Sequence, residues 1–321
     1  MTGRAMRRVM LIGLAVMTAG STAFAGDRIF RIEDPRGDDY GDGSVVYPEV
    51  SDWQPGDLDI VRFEAEAVTG GTEFSVRFAR NVREPDRRPL DGFVMLTDLA
   101  QYGFYNLNVD IYIDTDREPG SGRVITLPGR GAEIAPDFAW EKVVALTPRP
   151  YTASSTLQKI MVAEAKREIK REQGTVRNAD VDVAREQVEV EVADDVYFPN
   201  RIRVGGPTIR FFVPDTFLGQ TASKDWAYTV VVTGCDLMTS LQTAEVGAGF
   251  VGLPYSGLMV LPVKAGGSRY TFGSREPDVE MLPPIIDLIV PEGTKQEDVL
   301  RSFDVLAEKK AQLPGVVPSA S

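Results

Sequence analysis

An acidic, glycine-rich stretch near the N-terminus contains the residues best suited to bind a metal ion. Asp34, Asp38, Asp39 and Asp42 lie within nine residues, with Gly37 and Gly41 among them and Gly43 directly after. Such a loop can turn several carboxylates inward, and a hard cation such as Ca²⁺ takes about six to eight oxygen ligands from carboxylates and backbone carbonyls. We therefore predict that these four aspartates are calcium ligands. Solvated turn residues without an ion are the alternative.

A second acidic turn contains Asp114 and Asp116 and directly follows a predicted strand. The turn begins like an EF-hand loop, but Ile125 stands where that loop needs a bidentate glutamate. An EF-hand is therefore excluded. Asp114 and Asp116 complete the predicted set of calcium ligands, and solvated turn acids are again the alternative.

Aromatic side chains near the first acidic stretch could bind a sugar. Trp53 lies in the polar setting Ser51-Asp52-Trp53-Gln54, and Tyr47 and Tyr40 precede it. Sugar rings stack on exposed aromatic faces that have polar neighbours. We predict that Trp53, Tyr47 and Tyr40 form a carbohydrate-binding surface. Packing in the core is the alternative, because most tryptophans of a β-sandwich are buried.

The residue types that are missing exclude several kinds of catalysis. The sequence has no histidine, which removes Ser-His-Asp, Cys-His and histidine-ligated zinc chemistry. Cys235 is the single cysteine, so no internal disulfide can form. A glycoside hydrolase needs two suitably spaced carboxylates, and nothing distinguishes such a pair among the 47 acids. We predict no catalytic residues and no enzymatic activity.

The N-terminus has the three parts of a signal peptide. Arg4, Arg7 and Arg8 precede an apolar run, 9–19, that is too short to cross a bilayer core of about 30 Å. Thr22-Ala23-Phe24-Ala25 then places small residues at the positions that a signal peptidase reads. We predict cleavage after Ala25, no later transmembrane segment, and a destination in the periplasm, on the cell surface or in the medium.

The charge of the chain argues against nucleic acid as a partner. The full sequence has 35 basic and 47 acidic residues, a net charge of −12. Three of the basic residues and none of the acidic ones lie in 1–25, so the mature chain has 32 against 47 and a net charge of −15. Such a surface repels phosphate backbones.

Strand patterns dominate the mature chain and predict a mainly β fold, an antiparallel β-sandwich. Leu107, Val109, Ile111 and Ile113 alternate with polar residues, as in a half-buried strand. The alternation of valine and glutamate over 188–192 predicts another strand. Further β-rich runs end at Gly, Pro, Asn and Asp clusters: 60–67, 74–78, 208–213, 228–233 and 258–263.

Two helices are predicted among these strands. The first, a charged insertion over 156–173, has Ser154 or Ser155 as its cap and Gly174 as its stop. The second is a short C-terminal helix with Thr294 as its cap, Glu297 in a capping box and a buried stripe that includes Leu300 and Leu306. The predicted organisation is a signal peptide (1–25), one domain (26–313) with a helical insertion at about 154–174, and a disordered tail (314–321).

Blocks of residues along most of the mature chain resemble the C-terminal module of glucodextranase, which is related to DOMON-like and family-nine carbohydrate-binding sandwiches. The blocks, in chain order, are Asp34-Pro35 with Gly37-Asp38-Asp39, Tyr47-Pro48, Gly56-Asp57-Leu58-Asp59, 109–116 with Gly120-Ser121-Gly122, Pro128-Gly129-Arg130, Ala139-Trp140-Glu141, 209–214 with Leu218-Gly219, Trp226-Ala227-Tyr228, and 286–300. The charged helix over 156–173 departs from this pattern.

The resemblance implies a DOMON-like β-sandwich, bound calcium, and attachment to carbohydrate or to a cell surface. We expect an exported, non-catalytic module whose partner is a polysaccharide, either an α-glucan or a cell-envelope glycan. The first alternative is a structural protein of the envelope or surface layer that contacts other proteins, with the helix over 156–173 as its contact arm. A glycoside hydrolase is the second alternative.

Overall fold

Two five-stranded sheets form the centre of the protein in a computed structural model that describes residues 26–91, 94–237, 257–267, 271–276 and 281–319. The predicted signal peptide, residues 1–25, lies outside the described residues. The first sheet is antiparallel throughout, in the order β1 (Asp27–Glu33), β2 (Ile60–Val68), β3 (Gly71–Phe78), β11 (Thr208–Pro214) and β10 (Ile202–Gly205).

The second sheet has the order β15 (Asp287–Leu288), β12 (Ala227–Gly234), β6 (Leu107–Asp114), β8 (Lys142–Leu146) and β9 (Val196–Tyr197). All of its pairings are antiparallel except that of β8 with β9. The prediction of a mainly β, antiparallel sandwich is therefore confirmed.

Alternating side chains of both sheets fill the space between them. Phe63 and Phe74 of the first sheet contact Tyr228 of the second, with ring centroids 5.8 and 6.5 Å apart. From β6, Leu107, Val109 and the following odd-numbered residues join this core. Side chains at every second position of a strand lie on the same face, which is why alternation of apolar and polar residues predicted these strands.

A second layer covers the outer face of the second sheet, so the strand β6 is buried on both faces. Tyr112 packs there in a separate apolar cluster, and Asp110 accepts a hydrogen bond of 2.9 Å from the fully buried Arg130. Short strands contribute to the periphery: β4 (Pro89–Asp91), β5 (Val94–Met95), β7 (Ala132–Ile134), β13 (Val263–Ala265), β14 (Phe272–Ser274) and β16 (Ala311–Leu313).

The helical insertion is longer than predicted and consists of two helices, α2 (Pro150–Gln173) and α3 (Asn178–Asp195). Pro150 is the first residue of α2, and Gly174 ends it in the left-handed region, so Ser154 and Ser155 lie inside the helix. The predicted strand over 188–192 is wrong, since these residues belong to α3. Val188 and Val192 are four apart and both buried, a spacing that suits a helix as well as a strand.

The remaining helices of the described residues are short: α1 (Leu96–Leu99), α4 (Asp215–Leu218) and α5 (Gln296–Leu300), with 3₁₀ turns at Pro136–Phe138 and Gly257–Met259. The 3₁₀ turn occupies the start of the predicted run 258–263. In the described part of the chain, no helix is long and apolar enough to cross a membrane.

The C-terminal segment differs from its prediction in three ways. The N-cap of α5 is Lys295 rather than Thr294, and no side chain caps the helix. Leu306 is 98% exposed because the chain leaves the helix after Leu300 and turns outward. The tail predicted to be disordered from 314 pairs with the second sheet, since Val316 and Tyr228 exchange both backbone hydrogen bonds at 2.9 Å.

Candidate metal centre

Three aspartates come together where the two sheets join, and a fourth, Asp59, lies near enough to repel them electrostatically. Asp34 follows β1, Asp38 lies four residues further on, Asp59 precedes β2, and Asp287 begins β15. One carboxylate oxygen from each of Asp34, Asp38 and Asp287 lies within 4.8 Å of the others. Antiparallel pairing of β1 with β2 brings Asp34 and Asp59 to the same end of the first sheet.

Several oxygens of this group are buried without a hydrogen-bond partner. They are both carboxylate oxygens of Asp34, Oδ1 of Asp38 and Oδ1 of the fully buried Asp59. Among the described residues, no arginine or lysine forms an ion pair with any of the four carboxylates. A buried carboxylate without a partner is costly, so this group requires either protons or a cation.

The pKa values of the four carboxyl groups agree with that conclusion. Burial, followed by repulsion from Asp38 and Asp59, raises the pKa of Asp34 to about 9. Burial is also the largest effect at Asp59, whose pKa rises to about 6, and it raises the pKa of Asp38 and Asp287. The oxygens are therefore held close together at a cost that a divalent cation would offset.

Backbone amides fix the orientation of two of these side chains. Gly37 donates its N–H to Oδ2 of Asp59 at 2.7 Å, and Ile60 donates to Oδ2 of Asp287 at 2.6 Å. Leu288 donates to Oδ1 of Asp287 at 2.9 Å. Asp34 has no such bond, so its two oxygens are entirely available to a ligand.

Gln296, at the start of α5, holds the acidic loop against the second sheet. Its Nε2 donates to the carbonyl oxygens of Asp38 at 2.8 Å and Gly41 at 2.9 Å, and its Oε1 accepts the N–H of Leu288 at 2.6 Å. The side chain is only 2% exposed. One amide thus joins the N-terminal loop, β15 and the C-terminal helix.

Asp39 and Asp42, which were also predicted as ligands, lie outside this carboxylate group. Asp39 accepts hydrogen bonds from the Tyr47 hydroxyl and from the N–H of Gly56 at 2.7 Å. Asp42 accepts from the N–H and hydroxyl of Ser44 at 3.0 and 2.7 Å and pairs with Arg301 at 3.2 Å. Both carboxylates stabilise the loop itself.

The second predicted pair, Asp114 and Asp116, forms another group with Glu141. In this group most carboxylate oxygens already accept a hydrogen bond. Asp114 accepts the backbone N–H and guanidinium of Arg117 at 2.7 and 3.0 Å, and Asp116 accepts Ser121 Oγ at 2.9 Å. Oε1 of Glu141 is buried without a partner, and burial raises the pKa of that carboxyl. Because Arg117 supplies a positive charge, this group fits a cation less well than the first.

The predicted aromatic residues lie beside the first acidic loop and surround Phe272. Tyr47 and Trp53 meet the Phe272 ring edge to face, with centroids 5.2 and 6.3 Å away, and Tyr40 meets Tyr47 at 5.9 Å. The Trp53 indole donates to the carbonyl of Asn106 at 2.7 Å. Tyr47 and Trp53 are half-buried, and Tyr40 is 39% exposed, so Tyr40 is the most accessible of the three to a ligand.

Asp59 and Asp287 were not singled out as ligands by sequence reasoning. Asp287 stands between Ile286 and Leu288 in an apolar run, and Asp59 stands between Leu58 and Ile60. A charged residue inside an apolar run is a signal of a buried, partnered charge. This pattern identifies Asp59 and Asp287 as buried charges, but it does not predict that they lie beside the loop that contains Asp34 and Asp38.

The sheets and the acidic junction define a β-sandwich with a candidate ligand-binding edge. A family model described as the C-terminal binding module, SLH-like, of glucodextranase matches residues 29–315. The chain belongs to this family, and the resemblance inferred from the sequence is confirmed. The family is one of binding modules rather than catalytic domains. A comparison with curated proteins gives no significant match.

Proposed function

We propose that this chain is an exported, non-catalytic module that attaches to a glycan, either an α-glucan or a cell-envelope polysaccharide. The family match over nearly the whole mature chain carries this proposal. Export rests on the signal-peptide pattern of residues 1–25. The absence of histidine from the sequence is in keeping with a binding role.

Calcium is the proposed resident ion, held by Asp34, Asp38, Asp59 and Asp287. The donors are all oxygens, which suits a hard cation, and the unpartnered oxygens of Asp34, Asp38 and Asp59 supply binding capacity that hydrogen bonds do not use. A bound Ca²⁺ would neutralise the mutual repulsion of the four carboxylates. It would also fasten the loop after β1 to β15.

Retention on immobilised glycans tests the binding role. The mature protein should be retained on an α-glucan such as amylose, or on purified envelope polysaccharide, in the presence of calcium. A Tyr40→Ala variant should be retained less, because Tyr40 has the most exposed of the predicted aromatic rings. Exposed Tyr151→Ala is the control. No retention of the wild type on any of these glycans would refute the proposal.

A structural role in the envelope is the second candidate, and the helix pair α2–α3 favours it. Val183 and Val190 are 55% and 56% exposed and lie seven residues apart on α3, on the same face. Val183→Gln with Val190→Gln should release the protein from the envelope fraction without changing its melting temperature if that face contacts a protein. Unchanged fractionation would remove this candidate.

A further inference from the structure

The outer face of the first sheet has a charge unlike that of the whole chain. Buried residues alternate with exposed or half-buried ones along β2, β3 and β11, so one face of this sheet is accessible. Each of the five strands places at least one arginine on that face: Arg31, Arg62, Arg77, Arg210 and Arg203. The chain as a whole has a net charge of −12, whereas arginines outnumber acids on this one face, so charge is segregated there.

Two pairs of these arginines are direct cross-strand neighbours. Arg62 stands opposite Arg77, and Arg203 stands opposite Arg210. Like charges directly opposite each other destabilise a sheet. Opposite charges at these cross-strand positions would stabilise the sheet, so the paired arginines do not contribute to its folding.

The outer face has four acids, Glu33, Glu64, Glu66 and Glu73, against six arginines, because Arg28 of β1 also reaches Glu64 at 3.6 Å. Glu73 pairs with both Arg203 and Arg210, the second at 3.8 Å, while Arg31 and Arg62 share Glu33. Arg31 also pairs with Glu64 at 2.6 Å. In the described part of the chain, Arg77 has no acidic partner within ion-pair distance. Positive charge is therefore left over, and it is spread over several strands.

The choice of arginine indicates the kind of ligand. The planar guanidinium binds carboxylates through two parallel hydrogen bonds, which a lysine cannot do. The Phe212 ring lies on the same face of β11, with Arg201 stacked 4.1 Å above its centroid. The registers place the arginines in two adjacent rows across the five strands, Arg62 and Arg77 in one and Arg31, Arg210 and Arg203 in the other. This arrangement suits an extended ligand with repeated negative charges.

We propose that the outer face of the first sheet, through Arg77, Arg210 and their cross-strand neighbours, binds a polysaccharide that carries carboxylate groups. This inference rests on the proposed glycan-binding function and specifies the class of glycan. The acidic remainder of the surface repels other polyanions, which restricts binding to ligands that can lie along this one face.

Affinity electrophoresis of the full mature protein tests the proposal, with polygalacturonate in the gel as the probe. Wild-type protein should be retarded, and the retardation should decrease with added salt. R77Q/R210Q should lose at least tenfold in affinity. Its melting temperature should be close to that of the wild type, because the removal of two like-charge contacts offsets the loss of the Arg210–Glu73 pair at 3.8 Å. R167Q/R185Q, which removes two arginines from α2 and α3, is the matched control and should bind normally.

R77K/R210K provides a second variant that keeps the charges. It should bind better than R77Q/R210Q but less tightly than wild type, because lysine lacks the planar fork. The proposal is overturned if R167Q/R185Q loses as much affinity as R77Q/R210Q, or if R77Q/R210Q binds as tightly as wild type. Equal binding of wild type to duplex DNA would also overturn it and indicate a general polyanion surface.

Neutral amylose in a parallel gel separates this inference from the proposed function. Retardation by amylose without retardation by polygalacturonate overturns the inference and leaves the glycan-binding role intact. Retardation by polygalacturonate that R77Q/R210Q removes, with amylose binding unchanged, supports two separate glycan surfaces. Retardation by neither polysaccharide, together with no binding to envelope glycan, refutes both.

Discussion

At the residue scale, Asp34 is the member of the acidic group whose replacement disturbs least. Its two carboxylate oxygens are buried and make no hydrogen bond, whereas Asp287 orients itself through two backbone amides. Replacing Asp34 therefore removes a charge and a ligand without removing a bond. This makes it the best position at which to separate metal binding from folding.

We predict that Asp34→Asn weakens calcium binding at least tenfold and raises the melting temperature of calcium-free protein. The first effect follows from losing an anionic ligand, and the second from relieving repulsion with Asp38 and Asp59. Calorimetric titration and thermal unfolding in a chelator measure the two effects. The exposed Asp225→Asn is the control. Unchanged calcium affinity would exclude Asp34 from the site.

The raised pKa values predict how stability depends on pH without calcium. The pKa of Asp34 is raised to about 9 and that of Asp59 to about 6, both above the ordinary value of 3.8. Between about pH 4 and pH 9 the folded state thus holds more protons than the unfolded state, so these groups reduce stability as pH rises.

Urea unfolding in a chelator at several pH values should show the difference between wild type and Asp34→Asn. The free energy of unfolding of wild type should fall further below that of the variant as pH rises from about 5 to 8. Calcium affinity should rise over the same range, because the ligands must lose their protons. A pH-independent difference between the two proteins would contradict the assignment of the raised pKa to Asp34.

At the scale of elements, Gln296 connects three segments that are far apart in the sequence. We predict that Gln296→Ala lowers the free energy of unfolding by about 1–3 kcal/mol, because the carbonyl of Gly41 loses its buried partner. The carbonyl of Asp38 and the N–H of Leu288 each lose one of two partners. Chemical denaturation measures this change. Gln312→Ala, at a half-buried glutamine that bonds Glu133, should cost much less. Equal costs would show that the junction does not depend on Gln296.

The helix α3 offers a direct test of a secondary structure that the sequence pattern mispredicted. In a strand, residues 188, 190 and 192 would share one face, whereas in α3 Val188 is buried and Val190 is exposed. Val188→Ala should lower the free energy of unfolding by about 1–3 kcal/mol, and Val190→Ala should change it by less than about 0.5 kcal/mol. Denaturation curves showing similar costs would favour a strand.

At the scale of the whole molecule, calcium should act as a clamp between the two ends of the domain. The loop after β1 and the strand β15 are about 250 residues apart in sequence, yet Asp34 and Asp287 share one carboxylate group. An ion bound there stabilises only the folded chain. At a hundredfold excess over Kd the gain is about 2.7 kcal/mol.

We predict that calcium raises the melting temperature of the mature protein over that in a chelator, with one tightly bound ion per chain by metal analysis. Magnesium should have a smaller effect, because it demands near-octahedral geometry and keeps several of its waters. The same measurement on Asp116→Asn serves as a control for the second acidic group. The absence of any shift with calcium would reduce the four aspartates to a protonated cluster.

The sequence by itself determined the fold class and about half of the candidate site. Alternation over 107–113 predicted the strand β6, because side chains of a strand repeat every two residues, although β6 is buried on both faces rather than half-buried. Further β-rich runs with short turns, such as 228–233 in β12, indicated the sandwich. The acidic loop marked Asp34 and Asp38 as candidate ligands. Family blocks spread over the chain identified the binding-module family, since their order is more specific than any one block.

Only the tertiary structure decided which acids belong together. Asp59 and Asp287 join Asp34 because sheet pairing brings their strand ends to one place, which local sequence does not encode. Asp39 and Asp42 lie outside the group, because their oxygens accept hydrogen bonds from nearby donors, the Tyr47 hydroxyl and Ser44. In the same way, the two rows of arginines exist only through the registers of five strands. Cross-strand neighbours are set by pairing, and pairing is a property of the folded sheet.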